Sequence, residues 1–392
     1  MHRFVLLLGL LLMQLSIGQA VAQEAAHYKE LHLTPSYCSA PCVDYELSNE
    51  LENDWTFAAD PSSLTSNSLY PTLEALLAVS PVDQVRFIGG FIYEPVSDAT
   101  PGRNQAFTDL GLYADLLYTQ FEARPFDLRA GKVHPSFGRA WDVTPGLHAQ
   151  DIPGNYELEE RIGVAAAYAV DAWGLEHVLQ ASAFTTDRTV LSESAFTHRP
   201  RTRLSDGGAG NTNGVSSFSV TLDGCMDASA LNCYSEGGFG YQLAARYQRK
   251  GRSVTDEDGN PIKAYDESGF AGSINKAISI GDKTLRLFCE AAYFRHFEGE
   301  QDDALFLTAS SELDIDSMSY SLAYTSQQDP NSDARKLFVD LAVYYDLSDY
   351  LSIAGEEWTI GAGYTLEQNG ADHTTAHLLS VQITIDLNGS FP

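Results

Sequence analysis

Residues able to do bond chemistry are present in this chain but scattered. The histidines beyond the first few residues are His27, His32, His134, His148, His177, His198, His296, His373 and His377, and no nucleophile motif of the Gly-x-Ser-x-Gly kind accompanies them. Nucleophilic hydrolysis needs a base within hydrogen-bond reach of its nucleophile, and no spacing here points to such a pair. The expectation is therefore no enzyme, with a lipid-acting enzyme kept as an alternative because several stretches carry serine. His373 and His377 share one strand parity, but two imidazoles alone do not complete a coordination set. Asp256, Asp258, Asn260 and Glu267 match the acidic spacing of a calcium loop. Pro261 stands where that loop needs a glycine for its sharp turn, and the flanks are not helical. The segment reads as a solvated loop tip. Among the five cysteines, Cys225 and Cys233 bracket a short polar connection, Cys38 and Cys42 are similarly close, and Cys289 is left over. Both close pairs are candidate disulfides. No Cys-x-x-Cys or adjacent histidine completes a tetrahedral zinc set. No metal and no cofactor are expected.

Carboxylate is what the chain has in quantity: 53 Asp+Glu against 24 Lys+Arg, for a formal net charge of −29. A basic footprint for nucleic acid is absent, as is a polybasic segment for anionic lipid. The start of the chain indicates where these charges are carried. Met1-His2-Arg3 is a short positive region, residues 5–17 are largely apolar, and Ala20-Val21-Ala22 offers small residues for cleavage. This is the three-part layout of a secretory signal, so residues 1–22 are expected to be removed on export. No later apolar stretch approaches the roughly 20 residues that a spanning helix requires.

The elements that must position the charges are strands. Period-two alternation recurs along the chain and helical periodicity is nearly absent. In 317–326, Met318, Tyr320, Leu322 and Tyr324 alternate with serine, alanine and threonine; in 238–249, Phe239, Tyr241, Leu243, Ala245 and Tyr247 alternate with Gln242, Arg246 and Gln248. A soluble sandwich would also alternate, but three features favour a membrane barrel. Aromatics gather near strand ends, as at Trp55 and Phe57, Phe91 and Tyr93, Tyr344 and Tyr345, and Trp358 and Tyr364, like interfacial girdles. Many strands exceed the usual five or six residues. Connections alternate between tight turns and long polar loops, as in outer-membrane barrels. The expected fold is all-β, a transmembrane antiparallel barrel of about 16 strands with short periplasmic turns and long external loops. The expected organisation is a signal peptide at 1–22, a short periplasmic segment at 23–52 and the barrel at 53–392, with its first strand near 54–59.

In lipid all backbone polar groups must be paired internally, so strands cross only as a closed barrel. About 16 strands leave a water-filled interior. The inner face assigned by alternation carries Glu74, Arg86, Glu94, Asp115, Asp127, Arg129, Arg246, Arg286, Glu290, Glu312 and Asp340. A dry core could not take up so many charges, so water must reach them. Phe288, Phe294, Phe338 and Tyr344 share that face and could form an aromatic track for sugars.

This layout resembles the Gram-negative outer-membrane porin family in its 16-stranded general form. The final strand alternates Val381, Ile383, Ile385 and Leu387 with polar residues and reaches an aromatic, Phe391, although Pro392 departs from the usual ending. Pro135-Ser136-Phe137-Gly138 opens the connection between the fifth and sixth strands and is similar to the Pro-Glu-Phe-Gly motif of the porin constriction loop. The resemblance implies that residues 134–160 fold inward. It further implies an acidic loop, with candidates Asp142, Asp151, Glu157, Glu159 and Glu160, facing basic residues, with candidates Arg86, Arg129, Lys132, Arg139 and Arg161. Such charges would set ion preference, and the acidic excess favours cations. The implied function is passive diffusion of small hydrophilic solutes and ions through a homotrimer in the outer membrane, with lipid and lipopolysaccharide as surroundings. A substrate-specific channel or an adhesin is the alternative.

Overall fold

The structure, a computed structural model, describes residues 39–97, 99–226, 233–236, 238–255, 261–331, 335–348, 350–351 and 356–391. The signal segment, Cys38 with its pairing to Cys42, and the acidic tip at 256–260 lie outside the described residues.

Sixteen long strands follow one another around a closed barrel. They are β1 (Cys42–Asp60), β2 (Ser66–Val82), β3 (Val85–Pro95), β4 (Leu110–Ala123), β5 (Phe126–Val133) and β6 (Arg161–Ala172). Next come β7 (Leu175–Thr186), β8 (Ser217–Met226), β9 (Phe239–Gln248), β10 (Glu267–Ile280) and β11 (Lys283–Arg295). The last five are β12 (Ala304–Ile315), β13 (Met318–Gln328), β14 (Arg335–Asp346), β15 (Glu356–Asn369) and β16 (Thr374–Phe391). Each pairs antiparallel with its sequence neighbours, and β1 closes the cylinder against β16 from Val43↔Phe391 to Asp60↔Thr375. Closure leaves no open edge. Two short strands, Gln105–Ala106 and Ala195–Phe196, join the sheet at the loop-side rim. No helix among the described residues is long and apolar enough to cross a membrane.

Alternation sorts the side chains into two faces. On β1, Leu51, Trp55 and Phe57 are exposed outward while Asp44 and Glu52 are buried inward. On β13, Tyr320 and Leu322 face out and Ser321 and Thr325 face in. A β-bulge resets this pattern on β4. Gly90 pairs with Leu116 and Phe91 with Ala114, which leaves Asp115 as the extra residue. The bulge lets Leu112, on one side of it, and Leu117 and Phe121, on the other, all face outward.

The first strand begins at Cys42, well before 54–59. Its early part alternates Tyr45, Leu47 and Leu51 with Asp44, Glu46, Glu50 and Glu52. A carboxylate at nearly every second position looks like a solvated linker, yet here those groups face the barrel interior. Asn53 falls on the outward parity and is satisfied by Asn67 and the Ser68 carbonyl, each at 3.0 Å.

Candidate functional site: the inward loop and the lumen

Residues 134–160 leave β5 and fold into the barrel, carrying two single-turn helices, α1 (Ala140–Val143) and α2 (Asp151–Gly154). Phe137, Trp141, Ile152, Tyr156 and Leu158 of the loop are buried with Phe184, Phe288, Phe294, Phe306 and Phe338 of the wall. Phe137 and Phe294 lie 5.5 Å apart between ring centres, and Tyr156 and Phe306 4.9 Å. Burying one such side chain stabilises by about 1.5–3 kcal/mol, so the loop is held chiefly by this aromatic seam. The seam takes up Phe288, Phe294 and Phe338, which are at most 6 % exposed. They are covered by the loop and do not form an aromatic track; Tyr344 alone of that set reaches the cavity described below.

Polar contacts fix the loop's register on the wall. The Glu290 carboxylate accepts the Arg139 and Ala140 backbone N–H groups at 2.7 and 3.2 Å, and the Tyr156 hydroxyl. Burial, reinforced by the Glu290 charge, pushes the Tyr156 phenol well above its ordinary pKa, so it remains a donor. The Arg139 guanidinium reaches Asp223 at 2.9 Å. Asp340 accepts the His148 backbone N–H at 3.0 Å. Arg246 pairs with Glu267 at 2.8 Å, donates to the Tyr156 carbonyl and lies over the rings of Phe137 and Phe294. Glu267 is thus committed to Arg246 on the wall. Two glycines mark where the loop presses on wall carboxylates. A Cβ on Gly138 (φ +73°) would lie 2.8 Å from the Tyr156 ring and 3.1 Å from Glu290 Oε1, and one on Gly146 (φ +137°) would collide with Asp340 Oδ1.

The remaining candidate charges do not gather into two opposed sets. Lys132 is fully buried at the root of the loop, 2.8 Å from Glu160 and 3.1 Å from Asp187, and Arg199 also binds Glu160, at 2.9 Å. Glu157 lies 3.7 Å from His134, which in turn is 3.1 Å from Asp115. Arg161 donates to Thr186 at 2.6 Å. Arg129 pairs with Asp127 on its own strand and Arg86 with Glu122 across to β4, at 3.2 and 3.4 Å. Glu159 is exposed. Arg86, Arg129, Lys132 and Arg139 are thus each held in an ion pair, Arg139 across to β8, while Arg161 meets a hydroxyl and lines the long-loop side.

What the fold does gather is carboxylate. A cavity of about 740 Å³ lies on the turn side of the inward loop. Its lining includes Glu50, Glu52, Glu74, Asp142, Asp151, Glu312, Asp314, Asp316, Asp346 and Glu357, with no Lys or Arg among the described lining residues. Glu312 and Asp314 share Arg286 of the neighbouring strand. Glu74 and Asp115 also line an adjoining recess with Glu46, Glu50 and Asp386. On the long-loop side a cavity of about 430 Å³ is lined by both signs, including Arg161, Arg246, Arg252 and Lys263 with Glu157, Glu298 and Glu300.

One feature carries no signal in the sequence, and a second carries only the Cys225–Cys233 spacing. His148, one histidine among many, lies against β1 with Nε2 3.2 Å from Asp54 Oδ1 and Nδ1 3.4 Å from Asp151. Burial works against its charge, but the hydrogen bonds and charges of Asp151 and Asp54 prevail and hold its pKa well above the ordinary histidine value. On the turn side, the described residues Cys233–Glu236 between β8 and β9 lie against the wall. The Cys225–Cys233 disulfide anchors them, Tyr234 meets Phe288 edge-on at 6.1 Å, and its hydroxyl donates to Glu312 at 3.3 Å. Cys289 is a free, exposed thiol on β11. Only three-dimensional pairing brings these residues together.

No family model matches the chain, and no curated protein matches it in sequence. Solved structures do match it in shape. A loop-deletion form of OmpT, an outer membrane protein of Vibrio cholerae, is 10% identical with a TM-score of 0.52, over 88% of this chain and 99% of that one. The fold is that of an outer-membrane β-barrel. The outer membrane channel DcaP of Acinetobacter baumannii (9% identity, TM-score 0.51, 91% of this chain and 100% of that one) is similar to the same extent. So is OprB of Pseudomonas putida (10% identity, TM-score 0.51, 89% and 94%). The likeness to these outer-membrane proteins is architectural: it spans nearly the whole of each chain while the sequences are not shared.

Proposed function

We propose that this barrel is a passive, cation-preferring diffusion channel of the outer membrane for small hydrophilic solutes and ions, and that it has no catalytic role. The observation that carries this reading is the carboxylate lining of the turn-side cavity, set inside a cylinder whose outer face is apolar. Rings of like charge in a narrow, low-dielectric passage raise the local concentration of counter-ions and repel co-ions. The inward loop narrows the passage from one side, with Asp142 and Asp151 on its exposed flank, and the wall supplies the remaining acids. None of the basic candidates lines this cavity, so its net field is negative rather than transverse. Residues 1–22 act as a cleaved export signal, residues 134–160 act as the constriction, and three copies assemble in a bilayer of lipid and lipopolysaccharide, as the porin resemblance implies.

Liposome swelling tests the proposal. Vesicles containing the purified protein should swell in small neutral sugars and faster in salts of organic cations than in salts of equally sized organic anions. Swelling no faster than protein-free vesicles, from protein whose gel migration shifts on boiling as a folded barrel's does, would overturn it.

A further inference from the structure

We infer that Glu52, Asp54 and His148 form a binding site for a divalent transition-metal ion of the Zn²⁺ class, bridging the inward loop to strand β1. One donor atom from each residue lies within 4.8 Å of the others, with His148 from the loop and the two carboxylates from the wall. Two ligands on a tetrahedral ion, each about 2.0–2.2 Å from it, stand about 3.4 Å apart. His148 Nε2 is 3.2 Å from Asp54 Oδ1 and 3.8 Å from Glu52 Oε1, which brackets that spacing.

Glu52 supplies an independent sign of a ligand. It is 6 % exposed, and its Oε1, turned toward His148, has no hydrogen-bond partner. A buried carboxylate oxygen without a donor costs free energy, and the nearest cation, His148, stands 3.8 Å away, beyond hydrogen-bond reach, so an ion that displaces the His148 proton would meet all three groups. The surroundings are also arranged as around a metal ligand. The Asp151 carboxylate lies 3.4 Å from the other ring nitrogen of His148, and the Tyr70 hydroxyl donates to the second Asp54 oxygen at 2.8 Å. Carboxylates and hydroxyls in such positions orient imidazole and carboxylate ligands. Ser380, whose Oγ is 2.9 Å from His148 Nε2, would give up that contact when an ion enters. One imidazole with two carboxylates suits zinc-like ions better than Mg²⁺ or Ca²⁺, which take oxygen alone and in greater number. Glu52 and Asp151 also line the acidic cavity, so an ion collected there has a route to the site. The inference needs only the contact between loop and wall and does not depend on solute passing through the barrel.

Calorimetric titration of the detergent-purified protein with Zn²⁺, in excess Mg²⁺ to occupy the general acidic surface, tests it. One saturable Zn²⁺ per chain is expected. His148→Gln and Glu52→Gln should abolish it, Asp151→Asn should weaken it by about 10- to 100-fold, and Asp346→Asn, on the same cavity but outside the cluster, should leave it unchanged. Retained heat-shifted gel migration checks that each variant is folded. As a measurement on the unaltered chain, Co²⁺ should give the visible absorption of an imidazole-bound ion, displaced by Zn²⁺. Failure of the unaltered chain to bind Zn²⁺ in Mg²⁺ would overturn the inference, and so would binding that survives in folded His148→Gln.

Discussion

Removal of the Glu290 side chain is the sharpest test of how the loop is held. Three donors converge on this carboxylate: two backbone N–H groups at 2.7 and 3.2 Å and the Tyr156 hydroxyl. A hydrogen bond to a charged group contributes about 1.5–3 kcal/mol, but the three act together and do not sum. Truncating one member of a buried charged cluster costs about 3–5 kcal/mol, and that range is the better guide. The Arg139 and Ala140 amides would then be left buried without an acceptor. At 1.4 kcal/mol per tenfold, Glu290→Ala should raise local opening of the loop by roughly 100- to 3000-fold. Hydrogen exchange read by mass spectrometry should show this loss of protection in peptides covering 137–141. Strands β9 and β15 should keep theirs, because the Arg246–Glu267 and Asp340–Thr365 pairs are untouched. Single-channel records should grow noisier. Protection changed less than about threefold would refute the idea that Glu290 anchors the loop, since it would put the anchoring free energy below about 1 kcal/mol.

Other outcomes follow from the same structure. A carboxylate about 4 Å from a passing cation contributes about 1 kcal/mol in water. Glu50→Gln and Glu74→Gln should each lower the K⁺/Cl⁻ permeability ratio by up to about fivefold at low salt, with the difference shrinking as salt screens the field. Lys132→Met leaves Glu160 and Asp187 without their shared cation and should cost about 3–5 kcal/mol, seen as a lower temperature for loss of the folded gel band. Burial pushes the Asp187 carboxyl up, but the Thr189 N–H, the Ser192 hydroxyl and Lys132 prevail and hold it below the usual 3.8. Its stabilising contribution is present above that value and is lost as pH falls through the lower folded one. Exchange protection at the start of the 187–216 loop should therefore fall in strong acid, and Asp187→Asn should remove that dependence.

Most of the barrel was legible in the sequence because lipid and water leave a strict two-residue mark on every strand. β1 was read short because Asp44, Glu46, Glu50 and Glu52 look like a solvated linker until the lumen is known to be acidic. For 134–160 the sequence offers only Pro135-Ser136-Phe137-Gly138 and a place between β5 and β6 as pointers to an inward course. The partners of its charges were not legible. Whether Arg139 faces open water or Asp223 depends on which strand lies across the barrel, and nothing local encodes that. The same holds for His148 against β1 and for the aromatic seam, whose members read equally well as a sugar track. Alternation places Glu74 and Glu312 on the inner face, but cavity charge is a sum over strands far apart in sequence, so their gathering with Glu50, Asp142 and Asp151 around one cavity needs the strand pairing.

Inward acids that border a water-filled passage through the barrel must bias which ion crosses it. The most direct test is the zero-current potential of the purified protein in a planar bilayer under a KCl gradient. Stepwise ohmic conductance is expected, with a potential of the sign set by K⁺ moving faster than Cl⁻. Folded, inserted protein that stays silent, or a potential of the opposite sign, would contradict it.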